Sequence, residues 1–372
     1  MIRRLYIHNF RCLENFELKL EDLPSLLVIG RNGSGKTTIG LAIEIFQRIA
    51  RGTNRVGDLI SPQDSTRGRR DVPVSFDLEA GIDGRVYRYT LVFDFPAGFR
   101  EMRVAQETIT VDGDVLFARE LAEVRLAPSG RASEASFRID WHLVGLPIIQ
   151  RHAADDPIAI FRAWLGRILI LRPVPSAMRG DSEVEAAQPD AAVGNFGAWF
   201  TGLLASEPSA YGLIDGYLKQ VMPDLEDIKN PVIGRETRSL IVQFANAIGT
   251  MSLDFEELSD GEKCFMVYAL TIAARKVYGP SLCFWDEPDN FLAPAEIGQS
   301  ILALRRAFLS GGQLIVTSHN PEVVRQFSDE NTLICERASH LDPTVVRSVE
   351  DLRASKVLTG NFVDAILRGD VG

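Results

Sequence analysis

The chain has 372 residues, of which 46% are hydrophobic and 24% charged, and its formal net charge is −10. A chain of this length can bury a large core and is typical of two or three domains. The negative total excludes a globally basic nucleic-acid-binding protein, so any DNA contact must come from a local group of positive side chains. The cysteines lie far apart, with no histidine at ligand spacing, which argues against a zinc site or a disulfide framework.

Residues 1–60 predict strands followed by a loop and a helix. The stretch MIRRLYIHNFRCLENFEL alternates apolar and polar residues and lacks the continuous apolar core of a signal peptide. SLLVI at 25–29 is an unbroken apolar run, which indicates a strand buried on both faces. It leads directly into GRNGSGKTT at 30–38, after which apolar residues recur at helical spacing until Gly52.

Residues 61–145 predict an antiparallel β lobe, and residues 146–235 predict a mainly helical insertion. In the lobe, period-two alternation is interrupted by Asp83-Gly84 and Asp112-Gly113, which are typical of hairpin turns. The insertion contains several prolines and no heptad repeat. The longest apolar run, at 264–274, is too short to cross a bilayer, so we expect a cytoplasmic protein with no membrane association.

Residues 236–372 return to alternating strands and helices. SLCFW at 281–285 is a short apolar strand that leads into Asp286 and Glu287, and QLIVTS at 313–318 leads into His319. Such alternation predicts a parallel sheet, whose ligands bind beyond the carboxyl ends of its strands. We therefore expect an α/β fold with a mixed parallel sheet core, an antiparallel β lobe and a helical insertion.

The glycine-rich stretch fits the phosphate-loop pattern G-x-x-x-x-G-K-[ST] in the required context, after a strand and before a helix. Its glycines let backbone N–H groups surround phosphates at the positive end of a helix. The pattern predicts bound ATP, with Lys36 at the β- and γ-phosphates and Thr37 as a ligand of Mg²⁺. The expected nucleotide-contacting residues here are Asn32, Gly33, Ser34, Gly35, Lys36, Thr37 and Thr38.

The side chains that follow the two later strands predict the chemistry of ATP hydrolysis. Asp286 can hold the Mg²⁺ shell, and Glu287 can orient or deprotonate the attacking water. His319 lies where an imidazole could touch the γ-phosphate or that water. We therefore predict Lys36, Glu287 and His319 as the catalytic residues, and Thr37 and Asp286 as the metal ligands.

The stretch LSDGEK at 258–263 predicts the start of a helix. Ser259 can cap the helix while Glu262 reaches back to the N–H group of the cap, which is the capping-box pattern. A helix N-terminus of this kind also favours a nearby anion.

Taken in order, these motifs resemble those of the ABC-type ATPase clan that includes RecF, the SMC proteins and the overcoming-lysogenization-defect (OLD) ATPases. LYIHNFRCLENFEL is similar to the clan's opening strands, GRNGSGKTT to its phosphate loop, LSDGEK to its signature, LCFWDEP to its Walker B motif and TSHNPEVV to its switch-histidine loop. The resemblance covers most of the chain. It implies a P-loop NTPase of ABC-ATPase type.

The resemblance also implies a head-to-tail homodimer with ATP at its interface. In the clan, the signature serine and glycine contact the γ-phosphate held by a second subunit, which implies the same role here for Ser259 and Gly261. DNFLAP at 289–294 departs from the clan's ENHLHP version, because Phe291 stands where the histidine is usual.

Within the clan, we expect a standalone AAA-family ATPase that is OLD-like but has no appended nuclease domain. An SMC protein would need long heptad arms between the phosphate loop and the signature, where this chain has its β lobe and insertion. An OLD-type nuclease would need a further catalytic domain, and the stretch after His319 is short.

We expect a Mg²⁺-dependent ATPase whose ATP-driven dimerisation regulates a separate effector protein or a DNA transaction, in phage defence or genome maintenance. A RecF-like DNA repair ATPase is an alternative, although positive side chains are often only a solvated face. A transporter nucleotide-binding subunit is another, but Glu262 stands where transporters usually carry glutamine. A non-catalytic interaction module would leave the acidic pair unused. The DNA alternative depends on Arg3, Arg4, Arg11, Arg67, Arg69 and Arg70.

Overall fold

The computed structural model describes residues 1–20, 23–128, 135–149, 155–279 and 281–354. The strands are β1 Ile2–His8, β2 Phe16–Lys19, β3 Ser25–Ile29, β4 Val74–Ile82, β5 Arg85–Asp94, β6 Arg103–Val111, β7 Asp114–Glu120, β8 Glu123–Leu126, β9 Ala135–Arg138, β10 Leu169–Leu171, β11 Leu225–Lys229, β12 Val232–Ile233, β13 Thr237–Arg238, β14 Ile241–Ala245, β15 Thr250–Asp254, β16 Leu282–Asp286, β17 Gln313–Thr317, β18 Thr332–Glu336 and β19 Val345–Ser348.

The helices of these residues lie before, between and after two uninterrupted runs of strands, β4 to β9 and β11 to β15. They are α1 Lys36–Ala50, α2 Val56–Leu59, α3 Pro157–Gly166, α4 Phe196–Ser206, α5 Ala210–Val221, α6 Asp260–Tyr278, α7 Pro294–Phe308, α8 Pro321–Val324 and α9 Val349–Ala354. Short 3-10 turns occur at Pro62–Asp64, Thr66–Gly68, Pro175–Ala177, Phe255–Glu257 and Asp329–Asn331.

The chain divides into two compact units. The first comprises Met1–Leu23, Val28–Ile168 and Thr332–Gly372, and the second comprises Pro24–Leu27 and Leu169–Asn331. The four sequence segments proposed above, 1–60, 61–145, 146–235 and 236–372, remain a prediction of how the chain is organised.

An eight-stranded antiparallel sheet dominates the first unit, with the order β2-β1-β4-β5-β6-β7-β8-β9. The predicted antiparallel lobe is confirmed, and its hairpins turn where the sequence indicated. Asp83 and Gly84 have φ values of 50° and 78°, and Asp112 and Gly113 have values of 52° and 93°. These left-handed conformations suit Asp-Gly pairs, because aspartate tolerates and glycine favours positive φ.

Helix α1 packs its apolar side against the aromatic face of this sheet. The ring of Phe46 lies 6.2 Å from that of Phe76 and 5.5 Å from that of Tyr89, and all three side chains are buried. At the far end of the helix, Gln47 donates a 2.7 Å hydrogen bond to the carbonyl oxygen of Ile168. These contacts fix the direction of the helix and hence the position of the loop that precedes it.

A buried ion pair ties the lobe to the segment that follows it in the first unit. The side chains of Glu107 and Arg119 are 0% exposed, and their charged groups are 3.7 Å apart. Glu107 accepts hydrogen bonds from the hydroxyl of Tyr89 and from the N–H groups of Gly145 and Leu146. Arg119 donates to backbone carbonyl oxygens, those of Leu121, Asp140 and Leu143. Both charges therefore satisfy backbone groups of neighbouring segments.

The second unit contains the predicted parallel strands, β10, β16 and β17, in that order. Pro24, which precedes β3, accepts a 2.9 Å hydrogen bond from Leu314 of β17. The strands read as continuous apolar runs because both of their faces are covered. Helices α5 and α6 pack beside them through aromatic rings: the ring of Tyr268 stacks on that of Tyr217 at 6.4 Å and lies tilted against that of Trp285 at 4.4 Å.

A smaller sheet of the second unit precedes helix α6. An antiparallel sheet of β11, β14 and β15 leads into the 3-10 turn Phe255–Glu257 and then into α6. None of the helices in the described parts of the chain is long and apolar enough to cross a membrane.

Candidate active site

The phosphate loop lies in the first unit, between β3 and α1. It runs from Gly30 to Gly35, and the helix begins at Lys36. Strand, loop and helix therefore follow each other as the sequence predicts. The predicted contacts differ in exposure: Asn32, Gly33 and Thr37 are exposed, Gly35 is intermediate, and Ser34, Lys36 and Thr38 are buried.

Two of the loop glycines are required by the close approach of other segments. A Cβ atom at Gly30 would lie 2.3 Å from the carbonyl oxygen of Cys335. One at Gly35 would lie 2.9 Å from Cys12 Sγ. Both residues also have positive φ, 155° and 105°, in which a side chain is strained. Packing alone therefore requires glycine at Gly30 and Gly35, in addition to any approach of phosphates.

Lys36 reaches back over the loop. Its ammonium group donates hydrogen bonds to the carbonyl oxygens of Gly30, at 2.7 Å, and Arg31, at 3.3 Å. The residue is only 6% exposed. A positive charge is therefore held inside the loop to which the motif assigns the β- and γ-phosphates.

Polar groups around the loop fit an anionic ligand. Ser34 Oγ is buried and has no hydrogen-bond partner in the described part of the chain. The N-terminus of α1 has no side-chain cap. The N–H groups at a helix N-terminus attract phosphate through hydrogen bonding and the helix dipole. The residues present therefore suit a nucleotide phosphate.

The acidic pair lies in the second unit, where β16 ends. Thr317, from the neighbouring strand β17, donates its hydroxyl to Asp286 Oδ1 and accepts a 3.1 Å hydrogen bond from the N–H group of Glu287. The carbonyl oxygen of Thr317 accepts from the same N–H group at 3.0 Å. One buried threonine thus holds both acidic residues.

Glu287 is the strained member of this pair. It adopts a φ of 50°, which is uncommon for a residue other than glycine, asparagine or aspartate. Its two carboxylate oxygens lie 3.1 Å from Asn290 Nδ2 and 3.5 Å from His319 Nδ1. The side chain of His319 is 59% exposed, so the ring is accessible to a ligand. The structure therefore brings the predicted Glu287 and His319 together.

The loop after β17 is held by a buried carboxylate that the sequence reasoning missed. Ser318 donates a 2.7 Å hydrogen bond to Asp289, and its hydroxyl oxygen accepts one of 2.9 Å from the N–H group of Asn320. Burial raises the pKa of Asp289, while the bond from Ser318 acts in the opposite direction. This connection fixes both sides of His319 relative to the acidic segment. Serine and aspartate are too common for their spacing to have predicted it.

The predicted capping box at the start of α6 is confirmed. The N–H group of Ser259 donates to Glu262 Oε2 at 2.8 Å, and Ser259 Oγ accepts from the N–H group of Glu262 at 3.3 Å. Ser259 is exposed. A Cβ atom at Gly261 would lie 3.0 Å from the carbonyl oxygen of Phe291, so the signature glycine packs against the segment after Glu287.

The arginines considered for DNA binding are largely paired within the first unit. Glu14 pairs with Arg67 at 2.5 Å and with Arg69 at 2.6 Å, and Asp64 pairs with Arg11 at 3.0 Å. Arg4 likewise contacts Glu17 and Asp77. Arg70 lies over the ring of Phe95. Such pairing reduces the positive charge that these side chains offer to a phosphate backbone.

A family described as "AAA domain, putative AbiEii toxin, Type IV TA system" matches residues 26–325. The chain belongs to this AAA-domain family. A second AAA-domain family matches residues 4–47 of the AAA-domain protein. Together with the relatives below, this match confirms an ABC-type ATPase of the RecF, SMC and OLD clan.

Two kinds of relatives resemble this AAA-domain protein. It is 32% identical over 114 residues to a protein named OLD nuclease from Thermus scotoductus (strain ATCC 700910 / SA-01), a stretch that is 31% of this chain and 18% of the relative. A solved Smc head bound to the C-winged helix domain of ScpA has a TM-score of 0.56 and 15% identity, covering 95% of this chain and 99% of that one.

A second solved structure is an Smc head domain with an extended coiled coil, bound to the C-terminal domain of ScpA and derived from Pyrococcus furiosus. Its TM-score is 0.55 and its identity 14%, with 96% of this chain and 98% of that one covered. These two structures confirm the predicted fold class, a mixed α/β P-loop ATPase fold.

Mg²⁺ remains the metal ion predicted for the AAA-domain protein. Within the described residues, no three histidine, cysteine, aspartate or glutamate side chains form a metal cluster. Mg²⁺ does not need one, because it usually keeps several waters and takes one or two carboxylates together with substrate phosphates. Thr37 and Asp286 remain the predicted ligands from the chain.

Proposed function

We propose that the protein is a Mg²⁺-dependent ATPase. The observation that carries this proposal is the arrangement around Glu287, whose two carboxylate oxygens face Asn290 and His319 at 3.1 Å and 3.5 Å. A carboxylate fixed by neighbours at the end of a strand is suited to orienting a water molecule. The phosphate loop and the family match support the nucleotide as its substrate.

Each proposed residue has a separate task. Lys36 binds the β- and γ-phosphates by charge-assisted hydrogen bonds, which requires it to exchange the carbonyl oxygens of Gly30 and Arg31 for phosphate oxygens. Glu287 orients the attacking water and accepts its proton, while His319 contacts the γ-phosphate or the water. Mg²⁺, when bound by Thr37 and Asp286, neutralises charge on the phosphates.

Two substitutions separate binding from chemistry. Lys36→Ala removes a phosphate contact and should weaken ATP binding. Glu287→Gln keeps the shape of the side chain but removes the base, so it should leave binding intact and slow hydrolysis by about 10² to 10⁴. ATP affinity is measured by calorimetry, and hydrolysis by phosphate release.

Matched controls come from charged residues outside the proposed site. Lys219 pairs with Asp215 on α5, and Glu123 pairs with Arg138 at the end of the lobe. Lys219→Ala and Glu123→Gln should retain wild-type binding and hydrolysis. Equal loss of ATP affinity in Lys36→Ala and Glu287→Gln would contradict the assigned roles, and a wild-type protein that neither binds nor hydrolyses ATP would contradict the function itself.

We further propose that ATP drives formation of a head-to-tail homodimer. Ser259 is exposed at the N-terminus of the 19-residue helix α6, where a second subunit's γ-phosphate would find the positive end of the helix dipole. The signature resemblance assigns Ser259 and Gly261 to that contact. Two equivalent sites would then follow by symmetry, since the same two surfaces meet twice.

We propose that ATP-driven dimerisation regulates a separate effector protein or a DNA transaction, in phage defence or genome maintenance. The family's description as a putative toxin of a toxin–antitoxin system and the OLD nuclease relative support defence. The internal pairing of Arg67 and Arg69 with Glu14 favours an effector over direct DNA binding by this cluster. Co-purification of a nucleotide-dependent partner with Glu287→Gln, and not with Lys36→Ala, would support it.

A further inference from the structure

The connection between β18 and β19 lies against the phosphate loop within the first unit. Thr344, the last residue before β19, donates a 2.7 Å hydrogen bond from Oγ1 to the carbonyl oxygen of Ser34. Its own N–H group donates to the carbonyl oxygen of Cys12 at 2.9 Å. Thr344 is 3% exposed, so water does not compete strongly for these bonds.

The geometry of the peptide bond gives this contact a consequence for the loop. The carbonyl group of Ser34 and the N–H group of Gly35 belong to one planar peptide unit, in which they point in opposite directions. A hydrogen bond that draws the Ser34 carbonyl towards Thr344 therefore turns the Gly35 N–H group away from it. A fixed direction for that N–H group lowers the entropy lost when a phosphate binds.

The contact between Thr344 and the loop is tight as well as directional. A Cβ atom at Gly35 would lie 2.7 Å from Thr344 Oγ1, so the glycine allows the hydroxyl to approach. The connection itself is held in shape, because Arg337 donates to the carbonyl oxygen of Asp342 at 2.8 Å and Arg67 to that of Leu341 at 3.1 Å. These hydrogen bonds of the β18–β19 connection thus hold the hydroxyl of Thr344 against the phosphate loop.

We propose that Thr344 is a positioning residue for nucleotide binding, whose hydroxyl orients the Gly35 N–H group towards the phosphates. This inference rests on the proposed ATPase function. According to this inference, Thr344 contributes to the affinity for phosphate although it lies outside the glycine-rich motif. Thr344 does not act on the water or the γ-phosphate, so its effect falls on binding rather than on chemistry.

The test compares Thr344→Val, which keeps the shape and removes the hydroxyl, with Thr344→Ser, which keeps the hydroxyl. Calorimetry with Mg·ADP should show binding weakened about tenfold in Thr344→Val, the usual effect of a lost buried hydrogen bond, and restored to within about twofold in Thr344→Ser. Steady-state hydrolysis should show a raised KM for ATP with kcat at saturation nearly unchanged. Thr344→Ala serves as a second hydroxyl-free variant if the valine variant does not fold.

Thr271→Val is the matched control. Thr271 is fully buried in α6, and its hydroxyl has no partner among the described residues, so its removal should not change nucleotide affinity. If folded Thr344→Val or Thr344→Ala binds ADP with wild-type affinity, the inference is overturned, whatever the melting temperature of the variant. It is also overturned if Thr344→Ser weakens ADP binding as much as Thr344→Val does. A wild-type protein that binds no ADP would instead overturn the proposed function.

Discussion

Glu107→Gln should destabilise the antiparallel lobe strongly, although the substitution changes one atom. In the wild type, Glu107 Oε1 accepts from Tyr89 and Leu146 at 2.8 Å and 3.0 Å, and Oε2 accepts from Gly145 at 2.7 Å. A glutamine amide has one acceptor oxygen, so at least one of these donors would face an NH₂ group. The buried guanidinium of Arg119 would also lose its counter-charge.

The expected magnitude follows from these two losses. An unpaired buried N–H group costs about 1–3 kcal/mol, and breaking a buried ion pair by removing one partner costs about 3–5 kcal/mol. The losses overlap, because one substitution causes both, so we expect about 3–5 kcal/mol in total. With a urea dependence of about 3 kcal/mol per molar, the unfolding midpoint of the lobe should fall by more than about 1 M.

Amide hydrogen exchange gives a local measurement that does not depend on how the second unit unfolds. The amides of Gly145 and Leu146 should exchange about 10²- to 10⁴-fold faster in Glu107→Gln, which is the same loss of about 3–5 kcal/mol expressed as an opening equilibrium. Glu123→Gln is the control, because its ion pair with Arg138 is exposed and should be worth less than about 1 kcal/mol. An unchanged midpoint together with unchanged protection of Gly145 and Leu146 would refute the reasoning.

Three further outcomes test the proposed site. Chelation of divalent metal with EDTA should stop hydrolysis, and added Mg²⁺ should restore it; full activity in EDTA would exclude the metal. Ser259→Arg should keep ATP binding but lose ATP-dependent dimerisation, measured by light scattering. Mixing Ser259→Arg with Lys36→Ala should restore some hydrolysis, because one of the two composite sites in a mixed dimer stays intact. Normal dimerisation of Ser259→Arg would mean that Ser259 is only a helix cap. Charge reversal at Arg67 and Arg69 should not alter the salt dependence of duplex DNA binding, whereas a slope flatter by about 0.9 per phosphate would show that they bind DNA.

Local patterns predicted much of the fold. The Asp-Gly pairs marked two hairpins because few residue pairs tolerate their φ values, and the spacing of Ser259 and Glu262 predicted the capping box because both partners lie on one helical turn. The apolar runs before Gly30 and Asp286 predicted buried strands because parallel strands are covered on both faces.

The missing parts of the site depend on contacts between distant segments. Thr317 holds the acidic pair from 31 residues away, and the bond between Ser318 and Asp289 spans 29 residues. No periodicity or motif connects such positions, and their side chains occur throughout any globular protein. The left-handed φ of Glu287 is also invisible in sequence, since glutamate has no preference for it.

The bond from Thr344 to Ser34 joins residues 310 positions apart, which has a consequence for synthesis on the ribosome. The whole GRNGSGKT motif emerges before most of the second unit, but the hydroxyl that meets it emerges only after the second unit, which ends at Asn331, has been translated. Contacts of such long sequence separation form late, because the entropy of closing the intervening chain must be overcome first. A nascent chain would thus carry a complete motif without its distant support, and full nucleotide affinity would coincide with the completion of folding.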